Sequence, residues 1–160
     1  MPKIAKSALL VSLLALSTTF AQAAPILYGA PISNEDAKKV GSAAAAAAKK
    51  RNIPVVVAVV DSTGTLAYFE KLDGTQISSA DTGIGKARTA NNWKRPSKDL
   101  EDVVVKNHRT ALLNLPNIVP VQGGLPIVRD GKIIGAIGAS GGTGQEDEEI
   151  SQAGIDALNK

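Results

Sequence analysis

The sequence has no cysteine, one histidine, one tryptophan and only 3% aromatic residues among its 160 positions. Without cysteine there is no disulfide, no thiolate zinc site and no C-x-x-C-H attachment of haem. A single imidazole, His108, also excludes the usual tetrahedral zinc sites, which draw several ligands from cysteine and histidine. Any functional site is therefore built from His108, two tyrosines, carboxylates, hydroxyls, lysines and arginines.

Phosphate-binding motifs are absent as well. A Walker loop requires Ser or Thr after its Gly-Lys pair, but Gly131-Lys132 is followed by Ile133 and Gly85-Lys86 by Ala87. A dinucleotide fingerprint starting at Gly142 fails in register because position 147 is aspartate. The glycine-rich stretch 123–142 is therefore interpreted as a tight hairpin and a close-packing strand.

The first 23 residues have the three parts of a secretory signal peptide. Lys3 and Lys6 form a basic start, residues 8–16 are apolar except for one serine, and Ala21-Gln22-Ala23 is an A-x-A cleavage pattern. The alternative is a membrane anchor, but this run is shorter than the roughly 20 apolar residues that a span requires. We expect a mature chain of residues 24–160 in the periplasm or the medium.

The expected mature chain is nearly neutral. The whole sequence has 18 basic and 15 acidic residues, and the signal peptide removes two of the lysines. Such a balance does not favour a nucleic-acid partner, and no transmembrane span is expected. The length fits one domain with one core.

Hydrophobic patterns and turn signals predict an α+β domain, with two hairpins forming an antiparallel sheet that helices flank. Ser33 and Asp36 predict the start of a first helix, although its alanine run also allows a low-complexity linker. Gly83 and Gly85 lie within a predicted helix, so close packing or a ligand is needed to offset their cost. The predicted segments are a helix from Ser33 to about Asn52, strands 54–61 and 65–71, helices 77–93 and 97–107, a loop 113–124, strands 125–129 and 132–139, and a final helix after Gly144.

Several motifs together resemble the GlcG/HbpS family, a haem-binding-protein-like domain that also occurs at the C-terminus of some corrinoid adenosyltransferases. The motifs are VAVVDSTGTLAYFEKLDG, GKARTA, RPS, GGLPIVRDGKIIGAIGASGG and DEEISQAG, and they extend over roughly residues 32–158. The resemblance implies a profilin-like α/β/α domain with a five-stranded antiparallel sheet. It also implies a homo-oligomer, and for some exported members it implies haem binding or iron and redox sensing.

The resemblance favours an exported, non-covalent haem-binding or haem-handling protein rather than an enzyme. The alternative is a small-molecule enzyme or sensor module of the GlcG type that acts on a carboxylate. His108 is the candidate metal ligand for haem iron, because histidine is a common axial ligand; its polar neighbours also allow a solvent-facing helix end. Lys86, Arg88 and Thr89 are the candidate group for a propionate or a small acid, since arginine binds carboxylates with two N–H groups. The same residues equally allow a solvated basic face.

Overall fold

The computed structural model describes residues 25–159, so the predicted signal peptide lies outside the described residues. Within this range, no helix is both long and apolar enough to cross a membrane. The elements, in chain order, are β1 (Leu27–Tyr28), α1 (Asn34–Lys50), β2 (Val56–Asp61), β3 (Leu66–Lys71), α2 (Ser79–Trp93), α3 (Ser97–Val105), a 3-10 helix (Thr110–Asn114), β4 (Gly124–Arg129), β5 (Lys132–Ser140) and α4 (Gly144–Leu158).

The five strands form one mixed sheet with β5 at its centre. Strand β5 pairs antiparallel with β2 and with β4, and β2 pairs antiparallel with β3. The prediction of a wholly antiparallel sheet is wrong at one strand, because β1 runs parallel to β5. Since β1 has only two residues, both exposed, it carries no alternating pattern that would reveal it in the sequence.

Helices cover both faces of the sheet, which gives the predicted α/β/α layers. Helices α1 and α4 pack against each other on one face, and α2 packs against β2, β4 and β5 on the other. Every residue of β2 except Asp61 is buried, and so is every residue of β5 except Lys132. These continuous apolar runs are the expected signature of strands buried on both faces.

The glycines of β5 allow α2 to lie directly on the sheet. A Cβ atom added to Gly138 would meet the Gly83 carbonyl oxygen at 2.3 Å and the Ala87 nitrogen at 2.6 Å. A Cβ on Gly124 of β4 would meet the Lys86 carbonyl oxygen at 2.3 Å. The stretch therefore serves close helix packing, and it holds α2 in place for the side chains on its outer face.

Candidate functional site

Helix α2 separates the three predicted anion-binding residues. Lys86 and Thr89 are three positions apart and face the interior, where both are buried. Arg88 lies on the outer face and is exposed. The predicted group therefore does not converge on one point, and each side chain has its own surroundings.

Lys86 forms an ion pair in the interior. Its Nζ donates to Asp147 Oδ2 at 2.8 Å and to the Ala139 carbonyl oxygen at 3.1 Å, and both charged side chains are at most 3% exposed. Burial raises the pKa of Asp147, and the Lys86 ammonium opposes that shift only in part. An external anion would have to displace Asp147 to reach Lys86. The pair instead joins α2 to α4.

Thr89 fixes the loop beside α2. Its Oγ1 accepts a hydrogen bond from the Val119 backbone N–H at 2.8 Å. In the same direction, Val119 packs on Gly85, where an added Cβ would lie 2.4 Å from the Val119 Cγ2 atom. Gly85 and Thr89 together therefore hold residues 117–119 as a wall along α2.

Arg88 lies where two adjoining cavities meet. One cavity, of about 280 Å³, lies between α2 and the loop and is partly apolar. The other, of about 220 Å³, is polar and lies over the turn between β2 and β3. We call the two together the α2 groove, and its lining residues are Asp81, Ile84, Gly85, Arg88, Asn117, Ile118 and Val119 in the first cavity and Thr63, Gly64, Arg88, Asn92 and Asn117 in the second.

The groove has a guanidinium available for an anionic ligand. Arg88 Nε donates to the Gly64 carbonyl oxygen at 3.2 Å, which steadies the side chain over the turn. Within residues 25–159 Arg88 forms no ion pair. Arginine has five N–H donors, so this anchor leaves the terminal nitrogens for a carboxylate.

His108 is exposed in the turn that joins α3 to the 3-10 helix, and it is not among the residues that line the α2 groove. Its φ of 53° places it in the left-handed region, where histidine occurs more often than most residues. The described part of the chain has no cluster of three or more histidine and acidic residues able to hold a metal ion. A role for His108 as a ligand of haem iron stays a prediction.

A larger cavity, of about 570 Å³, lies elsewhere, between the end of α1 and the end of β3. It mixes Lys49 and Lys71 with Glu70 and Asp73. Lys49 is already paired with Glu70 at 2.9 Å. Since its charges balance, this cavity offers an anion less than the polar end of the α2 groove, where Arg88 has no acid beside it.

Gly138-Ala139-Ser140-Gly141-Gly142 has the G-x-S-x-G spacing of a hydrolase nucleophile elbow. The structure does not give it that geometry. Ser140 is 5% exposed and belongs to the regular ladder, where it pairs with Val56 of β2. An elbow nucleophile is instead exposed on a sharp turn, so Ser140 has the place of a packing residue.

The sequence interpretation missed the loop side of the groove, Asn117 to Val119. These residues lie within a segment predicted only as a loop, so no periodic pattern marked them. The one available signal was the pair Ile118-Val119 between Pro116 and Pro120, because apolar residues in a loop usually pack against something. Finding their partner required the Thr89 and Gly85 contacts.

The sequence and the fold of this chain are similar to those of known proteins. Residues 32–156 match the family model described as "Haem degrading protein HbpS-like". The protein GlcG of Escherichia coli strain K12 is 36% identical over 109 residues, which is 68% of this chain and 81% of GlcG.

Two solved structures are similar over most of both chains. A PduOC–haem complex superimposes with a TM-score of 0.74 at 32% identity, covering 81% of this chain and 96% of that one. The structure of HbpS gives a TM-score of 0.76 at 29% identity, covering 86% and 97%.

Proposed function

The chain belongs to the HbpS-like family, and from this premise we propose that it binds haem non-covalently, as an exported haem-handling protein, with the α2 groove as its site. One related structure is a haem complex, which supports the choice of ligand. The observation that carries the choice of site is the exposed Arg88 guanidinium beside an apolar wall. Bound haem would supply iron redox chemistry, and the protein would hold and orient it.

The groove suits the organic part of haem. Ile84, Ile118 and Val119 offer an apolar surface for the porphyrin ring, and Arg88 offers charge-assisted hydrogen bonds for the propionates. The polar cavity contains Arg88, Thr63 and Asn92 and has no acidic residue, so it suits the propionate edge.

The iron requires a further group. No His, Cys, Met or Tyr lines the groove. The Tyr28 hydroxyl donates a hydrogen bond to the Asn91 carbonyl, and the Tyr68 hydroxyl donates one to the Glu70 carboxylate. His108, in contrast, is exposed in its turn. We therefore propose His108 as the axial ligand, supplied from outside the groove by movement of its loop or by a neighbouring copy.

A haemin titration followed in the Soret band tests this proposal. We expect saturable binding near one haem per chain. Arg88→Ala should weaken it about ten- to hundredfold, because a charged hydrogen bond is worth roughly 1.5–3 kcal/mol. His108→Ala should change the band position more than the affinity. Arg51→Ala, an exposed arginine paired with Glu149 on the opposite face, is the matched control. Unsaturable binding, or equal effects of the two arginine variants, would contradict the proposal.

A second candidate is a module for a small carboxylate, as in the GlcG alternative. The polar cavity of about 220 Å³ around Arg88 favours it, because that space fits a small acid without a porphyrin. If a small carboxylate competes with haemin for Arg88, both ligands bind at the same site. Carboxylate binding without haem binding would favour the second.

We further propose that the mature chain begins at Ala24, lies in the periplasm or the medium, and forms a homo-oligomer. Exposed apolar side chains, among them Leu113, Leu115 and Val121, support association because they are left uncovered in one copy. Native mass spectrometry of the protein from the periplasmic fraction should give a multiple of the mass of residues 24–160. A monomer, or a subunit that retains Met1, would contradict this proposal.

A further inference from the structure

The α2 groove has an acid at one end and a base at the other. Asp81 and Arg88 both line its partly apolar cavity, and both are exposed. They are seven residues apart on one helix, which is about two turns or 10 Å along the axis. Ile84 lies between them on the cavity wall.

The charges of the groove are therefore separated along its length. Arg88 adjoins the polar cavity, where Thr63 and Asn92 add hydrogen-bonding groups and there is no acid. Asp81 lines only the first cavity, beyond Ile84. Within residues 25–159 no ion pair neutralises Asp81. A negatively charged group of a ligand lying along α2 is therefore attracted near Arg88 and repelled near Asp81.

We propose that Asp81 selects ligands by the distribution of their charge. It admits an amphipathic carboxylate whose acids are all on one edge, and it rejects a ring that carries carboxylates on several sides. This inference rests on the proposed function, because it concerns the same groove. Among porphyrins, protoporphyrin IX has its two carboxylates on one edge, whereas coproporphyrin III has four distributed around the ring.

A binding experiment with two porphyrins tests the role of Asp81. Fluorescence titration of metal-free protoporphyrin IX and coproporphyrin III requires no iron ligand, so it reports the groove alone. We expect wild-type protein to prefer protoporphyrin about fivefold, the size of one like-charge contact in water. Asp81→Asn should tighten coproporphyrin binding by that factor and protoporphyrin binding less, so that the preference for protoporphyrin shrinks. Added salt should reduce the wild-type preference, since it screens exposed charges.

The matched control is Asp156→Asn, an exposed acid on α4 across the sheet, which should change neither titration. If wild-type protein binds protoporphyrin but binds coproporphyrin equally, or if Asp81→Asn leaves their ratio unchanged, the selection proposal is wrong and the groove proposal stands. If wild-type protein binds neither porphyrin but binds haemin, the groove does not hold the ring and the selection proposal fails alone. If it binds neither porphyrin nor haemin, the proposed function fails as well.

Discussion

At the scale of single residues, burial decides which base of α2 meets a ligand. Lys86 and Arg88 are two positions apart, and the sequence alone makes both of them candidate anion-binding residues. The structure places Lys86 against Asp147 with about 2% of its surface exposed, whereas Arg88 stays at the surface. Two positions on a helix differ by about 200°, so one side chain faces the sheet and the other faces solvent.

The buried pair predicts a large stability effect. Lys86→Met keeps the length of the side chain but leaves Asp147 buried without its cation, which typically costs about 3–5 kcal/mol. Burial already raises the pKa of Asp147 in the folded state, and loss of the Lys86 ammonium raises it further. The folded state then keeps a proton that the unfolded state releases, so stability falls as pH rises through that interval.

Urea unfolding at neutral and acidic pH measures this effect. The deficit of Lys86→Met relative to wild type should be largest at neutral pH and smaller in acid. Lys98→Met, which removes one partner of a partly exposed ion pair with Asp102 within α3, is the control and should change stability little. Equal deficits for the two variants would show that the buried pair has no special role.

At the scale of elements, the sequence predicted most helices and strands because their signals are local. Apolar runs, the Asp130-Gly131 turn and the helix-breaking prolines determine α1 to α4 and β2 to β5 within a few residues. The two-residue β1 and the 3-10 helix lack such signals. The α2 groove depends on contacts between distant segments, such as Thr89 with Val119, so no local pattern predicts it.

The helix caps give a test at this scale. Thr143 accepts a hydrogen bond from the Glu146 backbone N–H, and the Glu146 carboxylate accepts one from the Thr143 backbone N–H, which completes a capping box at the start of α4. Thr143→Ala should therefore lower the free energy of unfolding by about 1 kcal/mol. Ser78 has the same position before α2 but makes no side-chain cap bond.

Ser78→Ala is thus the matched control, and thermal or urea unfolding should show it close to wild type. A loss at Ser78 as large as that at Thr143 would mean that the cap hydrogen bond does not cause the difference.

At the scale of the whole molecule, the two faces of the sheet differ in the helices that cover them and in the side chains that these helices expose. Helices α1 and α4 cover one face with the larger apolar cluster. On the other face α2 lies close to β5 and presents Arg88 outward, beside the loop that Thr89 holds. We propose that haem binds on this second face, in the α2 groove, and not in the larger cavity between α1 and β3.

Hydrogen–deuterium exchange measured by mass spectrometry, with and without haemin, locates the haem site, because it reports which peptides are protected in an oligomer of any size. Haemin should slow exchange in peptides that cover the loop 115–121 and the turn 62–65. Exchange around residues 49–54 and 70–73 should stay unchanged. Protection confined to 49–54 and 70–73 would place the haem site in the larger cavity and exclude the α2 groove.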